Sequence, residues 1–284
     1  MPDAEEDSAA AIAFYRSIPE LSALLDRKRK EKWEAGKMEA EIRKSKWYLK
    51  TQESKRAWDL YAATEKPSAA AKVNAKAAEL QDILVSLGGT MSYANLGNIA
   101  EQSLQFDWNE AQVRNMLGKY VTMRNGLFRG NAATDAATIQ QAAWRNGTKM
   151  TSSTLEHHVQ AIARGDSTLE TVKAQLRQQA ASLAPAFAEQ LAGGADLYDA
   201  TAAYRSMVAN ELELNEADVS LMDPLMKKGY SSTDKDGKPA TLSMSAFQNE
   251  VRSDARWGKT KAAQSEGSQV ANSLLKAWGL KGGF

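Results

Sequence analysis

The chain has 284 residues and contains no cysteine, only two histidines and only six prolines. Without cysteine it has no disulfides, no thiolate nucleophile and no cysteine-based zinc or iron–sulfur site. A chain without cysteine is compatible with either a reducing or an oxidising compartment. The 36 basic and 35 acidic side chains nearly cancel. The whole molecule therefore lacks the strong positive field of a protein that coats nucleic acid, and any such contact must be local.

Long apolar runs are also missing. No stretch reaches the roughly 18 apolar residues that suggest a membrane-spanning helix. The first residues, MPDAEEDSAAAIAFYR, carry acids where a signal peptide carries bases, and Tyr15 and Arg16 end their apolar run. The sequence therefore predicts a soluble chain without a signal peptide and without a membrane-spanning segment.

Two places bring together residue types that bind metal ions. His157 and His158 are adjacent, so on a helix they point about 100° apart and cannot form the i, i+4 pair of a zinc site. Residues 232–243 contain the aspartates and the glycine of a calcium loop, but Ser243 stands where a bidentate glutamate is required. We expect a tight Asp-Gly turn there, with no metal site and no cofactor.

The usual motifs of enzymes are absent as well: there is no GxSxG elbow, no P-loop and no GxGxxG fingerprint. Glu211 and Glu213 could be imagined as a glycosidase pair, but that mechanism depends on a distance between carboxyl groups that a sequence does not give. Because acids are common on helix surfaces, we expect no catalytic residue and predict that the chain is not an enzyme.

Residues that lose little entropy in a helix are frequent, and this favours an all-α, multi-helix array. In residues 19–64 apolar side chains recur every three to four positions among many bases, which predicts a long basic N-terminal helical segment with Gly36 as its interruption. Pro67 then fits the first turn of a new helix, which should end at Leu87 before Gly88.

The middle of the chain repeats itself at a constant offset of 59 residues. Met91-Ser92 matches Met150-Thr151, Leu96 matches Leu155, and Leu117 matches Leu176. The same offset pairs Gln81 with Gln140, Gly88 with Gly147, Asp107 with Asp166, and Val113-Arg114 with Val172-Lys173. The pattern predicts a duplicated helix-turn-helix unit at about 80–117 and 139–176, with a chance match as the alternative.

Each copy contains the signals of two helix starts. Ser92 and Thr151 are suited to cap the second helix of the unit, and Asp107 and Asp166 to cap the third. We therefore expect helix, turn, short helix, turn, helix in both copies.

The last third should be helical with one loop. The sequence predicts two helices within residues 196–227, and the second should start near Asn215 or Asp218. Residues 229–241 form the clearest loop, after which Ser243 or Ser245 should cap a helix carrying Phe247, and a final helix should run from near Lys259 to Trp278. We divide the chain into a basic segment 1–66, a duplicated domain 67–190 and a C-terminal region 191–284.

The basic segment is the main candidate for binding a charged partner. Residues 27–56 contain twelve bases and five acids, a net charge of +7, interleaved with Trp33, Trp47 and Tyr48 and followed by Trp58. The candidate contacts are Lys28, Arg29, Lys30, Arg43, Lys44, Lys46 and Lys50. They suit nucleic acid or an acidic protein surface, while a solvated helix face over an aromatic core stripe is the competing interpretation.

A sharper pattern lies in SMSAFQNEVRSDARWGKTKAAQSEGSQVANSLLKAWGL, residues 243–280. Its marked positions are Phe247, Arg252, Asp254, Arg256, Trp257, Thr260, Ala262 or Ala263, Trp278 and Gly279. Upstream, KWY at 46–48, AEQSLQFDWNEAQVRNML, RNGTKMT and ANELEL follow in order. The chain thus resembles, over most of its length, helical virion proteins of tailed bacteriophages, especially phages of actinobacteria, that are described as minor tail, tape-measure-like or internal virion proteins.

This resemblance implies a structural protein of the virion, assembled in the host cytoplasm and present as a homo-oligomer or in several copies. Its partners would be portal, tail or internal proteins, and it would help assembly and genome retention or ejection, in contact with packaged DNA. A helical nucleic-acid-binding module acting through residues 27–56 is the alternative function. A virion-associated cell-wall hydrolase is a lesser one.

Overall fold

A computed structural model describes residues 4–278, and its regular structure there is seventeen α-helices, three short 3-10 turns and one two-stranded hairpin. The first eight helices are α1 Ala4–Ser17, α2 Pro19–Glu31, α3 Ala35–Lys44, α4 Lys46–Lys50, α5 Glu53–Thr64, α6 Lys66–Leu87, α7 Tyr93–Gln105 and α8 Glu110–Gly118. The predicted all-α class is confirmed.

The remaining helices are α9 Gly130–Arg145, α10 Ser152–Arg164, α11 Leu169–Leu183, α12 Ala188–Ala192, α13 Leu197–Ala200, α14 Ala202–Glu211, α15 Pro224–Tyr230, α16 Met244–Ser253 and α17 Lys261–Ala277. The hairpin strands are β1 Ser232–Thr233 and β2 Pro239–Ala240, and the 3-10 turns are Pro185–Phe187, Glu216–Asp218 and Trp257–Lys259.

The basic N-terminal segment is helical, but it is broken differently from the prediction. The first break falls at Lys32, which takes a left-handed conformation (φ 52°) and donates its backbone N–H to the carbonyl of Lys28. This turn directs Trp33 into the interior, where it is buried. Gly36 lies in the first turn of α3 instead of ending a helix. Pro67 and Gly88 behave as predicted, because they start and end α6.

The duplication is present in the fold. Helices α7 and α10 both have 13 residues and start 59 positions apart, and so do the starts of α8 and α11. The Ser92 side chain accepts the N–H of Asn95, and Thr151 accepts that of Thr154, so both predicted caps are confirmed. Gly88 and Gly147 both have positive φ at the end of the preceding helix.

The predicted caps at Asp107 and Asp166 are wrong. Asn109 caps α8 in a capping box with Gln112, and Thr168 caps α11. Asp107 instead takes a left-handed conformation (φ 48°) in the turn that ends α7. Asparagine and threonine cap a helix as aspartate does, and two residues later the chain has the extended backbone that an N-cap needs. The shift is the same in both copies, so the offset is preserved.

Burial follows the same register. Ten positions 59 residues apart are buried in both copies: Ala77/Ala136, Leu80/Ile139, Leu84/Ala143, Leu87/Asn146, Leu96/Leu155, Ala100/Val159, Ser103/Ile162, Val113/Val172, Leu117/Leu176 and Val121/Ala180. Several of these pairs differ in size and polarity, so the shared feature is the buried position more than the side chain. Matched helices, caps and burial argue against a chance match.

The described residues form two compact units. One consists of residues 4–134 and 159–166, the other of 135–158 and 167–278. In the first, α6 packs against α5, α7 and α8, and α1 against α2 and α5. In the second, α14 packs against α15 and α16 around Val208, Met226 and Phe247. The division at 66 and 190 stays a prediction.

In the second unit the cap after the loop was predicted correctly, but the loop begins later than the predicted residue 229, because Gly229 and Tyr230 belong to the end of α15. Strands β1 and β2 pair antiparallel around a turn in which Gly237 has φ 76°, and the Asp234 carboxylate accepts the backbone N–H groups of Asp236 and Lys238. The carboxylate of Asp234 thus serves the tight turn. Ser243 caps α16.

The expected helix start near Asn215 or Asp218 is wrong. Asn215 caps only the short 3-10 turn, and α15 begins at Pro224 with Asp223 as its cap. Proline suits that first turn because its missing N–H has no intrahelical partner there.

Candidate functional site

The C-terminal motif is built on α16, which places its apolar residues on one face. Phe247 and Val251, four residues apart, are fully buried. The ring of Phe247 meets that of Tyr204 edge-on, with centroids 5.0 Å apart. Aromatic pairs prefer this geometry, so Phe247 is the point at which the motif enters the core of its unit.

The next turn of α16 holds an ion pair. Arg252 donates from Nε to Oε2 of Glu211 at 2.9 Å, and Gln248 donates to the other carboxylate oxygen. Partial burial of Glu211 acts to raise its pKa, but the hydrogen bonds from Gln248 and Arg252 outweigh it and lower the pKa. Glu211 therefore ties the end of α14 to α16 as a carboxylate.

Glu213, the other member of the imagined glycosidase pair, has a separate structural partner. Its Oε1 accepts the backbone N–H of Ala262 at 3.1 Å, in the first turn of α17. Each of the two carboxylates is thus engaged in holding a different C-terminal helix.

Arg256 forms the second clamp of the motif. It reaches both carboxylate oxygens of Asp223 at 2.7 and 3.2 Å, and it also donates to Asp254 from Nε, from Nη2 and from its backbone N–H. These contacts raise the pKa of Arg256 and lower that of Asp254. Because Asp223 also caps α15, the clamp joins the start of α15 to the end of α16.

Trp257 and Trp278 occupy opposite environments. Trp257 is half-buried against the core of the second unit, with the guanidinium of Arg252 5.7 Å above its ring. Trp278 is 71% exposed. The structure therefore brings Phe247, Arg252, Asp254, Arg256 and Trp257 together and leaves Trp278 apart from them. Gly279 lies outside the described residues.

Trp278 instead continues an exposed stripe on α17. Val270, Leu274 and Trp278 follow at four-residue intervals and are 59%, 48% and 71% exposed. We call these three residues the α17 apolar face. Helix α17 has no buried residue and is fixed near its start, by the Thr260 cap, the Glu213 contact and a 3.8 Å ion pair between Arg252 and Glu266.

The basic candidates lie at the ends of short helices in the first unit. Lys28, Arg29 and Lys30 form the last turn of α2, Arg43 and Lys44 that of α3, and Lys46 and Lys50 lie in α4. Arg43 pairs with Glu39 at 2.7 Å and Lys44 with Glu41 at 2.8 Å. The other five form no ion pair with any side chain that the structure describes, which are those of residues 9–278.

Two aromatic side chains of the basic segment belong to the core. Trp33 and Trp58 are buried, and Trp33 donates its indole N–H to Glu31 at 2.7 Å. Arg27 and Lys37 lie over the ring of Trp33 at 5.0 and 4.6 Å from its centroid. These two rings have no free face for a nucleic-acid base, which favours the interpretation as an aromatic core stripe for Trp33 and Trp58. Trp47 and Tyr48 are half-buried.

Glu20 is a structural residue that the sequence analysis missed. Its carboxylate accepts the backbone N–H groups of Lys46 and Trp47 at 2.8 and 2.9 Å, the free donors at the start of α4. These bonds lower the pKa of Glu20. No local signal reveals this contact, because the partners are 26 and 27 residues apart in the sequence.

The histidine pair lies on α10, with ring centroids 5.9 Å apart, and burial lowers the pKa of His158. Among the described side chains, those of residues 9–278, no three His, Asp or Glu groups converge as a metal site would require. In the same part of the chain, no helix has both the length and the apolar character that crossing a membrane needs.

Comparison of the chain with protein-family models, curated proteins and solved structures finds no match.

Proposed function

We propose that this chain is a structural protein of a tailed-bacteriophage particle, internal or associated with the tail or portal. In this role it contributes contact surfaces to other virion proteins and performs no catalysis. The observation that carries the proposal is the α17 apolar face, which presents a valine, a leucine and a tryptophan to solvent.

The α17 apolar face has the form of a docking helix. A helix of 17 residues without a packed face is marginal in water, since most helical stability in proteins comes from tertiary packing. Anchors at i, i+4 and i+8 are the pattern with which a helix enters a groove on a partner. The assigned partner is a neighbouring portal, tail or internal protein, contacted by several copies of this chain.

The arginine motif supports this role by holding the docking helix in place. Arg252 and Glu213 anchor the start of α17, while Arg256 fixes the end of α16 to the cap of α15. The connection from the end of α16 at Ser253 to the start of α17 at Lys261 is short, so these contacts set the direction of α17. On this account the motif acts as a mount for a contact surface.

The proposal is tested with particles from an infection in which the variant chain replaces the original. Val270→Asp on α17 should lower the amount of this protein in purified particles, measured by quantitative mass spectrometry. Val85→Asp is the matched control, because Val85 on α6 is 60% exposed and Val270 is 59% exposed. Equal incorporation of the two variants would reject the docking role of α17.

Contact with DNA is the second candidate function, and the five bases without an ion pair in the described chain favour it. Lys28, Arg29 and Lys30 follow one another at the end of α2 and are surrounded by solvent on at least part of their surface. Binding through such residues weakens steeply with salt because counterions are released from the phosphates. A flat salt response, or no binding at low salt, would reject this function.

The hydrolase alternative has no observation in its favour. Glu211 and Glu213 are both engaged in structural contacts, as described above. Incubation of the purified chain with peptidoglycan tests the alternative directly, and we expect the peptidoglycan to stay uncut.

A further inference from the structure

The chain contains the sequence Arg-Asn-Gly twice, at 124–126 and at 145–147. Asn-Gly pairs are chemically labile because glycine has no side chain to shield its amide nitrogen from the neighbouring asparagine carbonyl. The two copies share the same residues on both sides of the reacting bond. A difference in their reactivity in the folded chain must therefore come from the structure.

Asn125 lies at the tip of an exposed turn between α8 and α9. Asn125 and Gly126 both have positive φ, 51° and 79°, as the central residues of a type I′ turn do. The turn is closed by two backbone hydrogen bonds of 3.0 Å between Arg124 and Leu127. Leu127 is 72% exposed, and Asn125 and Gly126 are exposed as well.

Asn146 has the opposite setting. It is 0% exposed, its Nδ2 donates to the carbonyl of Ala142 and to Asp196 at 2.9 Å each, and its Oδ1 accepts the N–H of Leu197 at 3.2 Å. The amide N–H of Gly147 donates to the carbonyl of Trp144 at 3.1 Å. Both the attacking nitrogen and the attacked carboxamide are held in place.

We propose that Asn125 is a site of spontaneous deamidation in the folded protein and that Asn146 is protected. The Gly126 amide nitrogen loses its proton and attacks Cγ of Asn125, so that a C–N bond forms to Cγ. The bond from Cγ to Nδ2 breaks, and Nδ2 leaves as ammonia after taking up a proton. Water then opens the cyclic imide at either carbonyl and yields aspartate or isoaspartate, without an oxidant or a cofactor.

The cost of reaching the reactive geometry separates the two sites. At Asn125 the turn must open, and only two solvent-exposed hydrogen bonds resist this motion. Openings of this kind in surface loops cost far less than unfolding of a core. At Asn146 the same attack needs the loss of four hydrogen bonds and the exposure of a buried residue, which amounts to unfolding the end of α9.

Deamidation of Asn125 changes the turn between Arg124 and Leu127. Either product adds one negative charge beside Arg124, and isoaspartate also lengthens the backbone within a two-residue turn whose geometry depends on its residue count. Molecules that age in this way therefore differ from fresh ones at a defined exposed point.

The test compares the two sites within one chain. The full-length protein is incubated near neutral pH and digested at acidic pH, where the imide forms slowly, and conversion at each asparagine is measured by mass spectrometry over time. We expect Asn125 to convert at least about tenfold faster than Asn146 in the folded chain, and both to convert at similar rates in urea. The Asn125→Gln variant should abolish the fast phase.

Two results would overturn the proposal. One is an unconverted Asn125 in the folded chain over a period in which the urea-treated chain converts both sites. The other is equal conversion of Asn125 and Asn146 in the folded chain. Neither result bears on the presence of the protein in virions, so the deamidation proposal and the proposed function are tested separately.

Discussion

Two helical glycines are expected to respond in opposite directions to the same substitution. Gly229 in α15 faces the aromatic pair Tyr204 and Phe247, and an added Cβ would lie 2.7 Å from Cδ1 of Tyr204 and 2.9 Å from Cε2 of Phe247. Gly97 in α7 has no atom within 4 Å of the position that a Cβ would take. The comparison isolates packing from helix propensity.

At each glycine the change in stability depends on which is larger, the gain in helix propensity or the cost of overpacking. Replacing glycine by alanine in a helix gains up to about 1 kcal/mol where the methyl group meets open space. Overpacking a filled core costs about 1–3 kcal/mol. The two rings cannot easily yield, because Phe247 is fully buried and the Tyr204 hydroxyl donates to the carbonyl of Leu242 at 2.6 Å. We expect Gly229→Ala to destabilise by about 1–2 kcal/mol and Gly97→Ala to stabilise by up to about 1 kcal/mol.

Hydrogen exchange followed by mass spectrometry is the suitable assay, since a chain with two compact units has no single unfolding free energy. Peptides covering α15 and α16 report on Gly229→Ala, and peptides covering α7 report on Gly97→Ala. Unchanged or stronger protection in Gly229→Ala would show that the aromatic pair has room for a methyl group and would refute the packing described for this core.

Three further outcomes are expected. Hydrogen bonds from Arg256 lower the pKa of Asp254. The stabilisation by the Asp254 carboxylate is therefore present above about pH 4 and is lost as the pH falls through the lowered pKa. When stability is measured during an acid titration, it should depend less on pH in Asp254→Asn than in the original chain. Trp278→Ala should change stability by no more than about 0.5 kcal/mol, since the ring is exposed, yet reduce incorporation into particles; a loss of stability without a loss of incorporation would contradict this. The double variant Lys28→Glu, Arg29→Glu should bind DNA more weakly and with a smaller salt dependence, as measured by fluorescence anisotropy. Unchanged binding in this variant would exclude residues 27–56 as the DNA contact.

The parts of the fold that the sequence predicts correctly are those set by local signals. Pro67 at a first turn, Gly88 in a left-handed cap, and Ser92 and Thr151 at N-caps each act within four residues of their position in the chain. The repeat was detectable for a related reason, because a constant offset of 59 keeps the same turn chemistry in both copies.

The errors have physical reasons. Asp107 and Asn109 are both good caps two residues apart, and the choice between them depends on where α7 ends, which packing decides. Lys32 breaks the basic segment at a residue with no strong turn preference, because burying Trp33 requires the chain to turn there.

The geometry of the candidate site was less accessible still. Arg252 and Glu211 are 41 residues apart in the sequence, and Arg256 and Asp223 are 33 apart. Sequence spacing gives no information on such pairs. The motif residues could therefore be identified as a set, while their division into the clamps of Arg252 and Arg256 and a separate, exposed Trp278 came only from the structure.

We propose that this chain is a component of a phage particle and contacts its neighbours through α17. A reconstruction of purified particles would show its position and contacts. We expect density for several copies of this chain at a fixed position, with Val270, Leu274 and Trp278 against a neighbouring virion protein. Particles that lack the chain, or that hold it with α17 facing solvent, would refute this proposal.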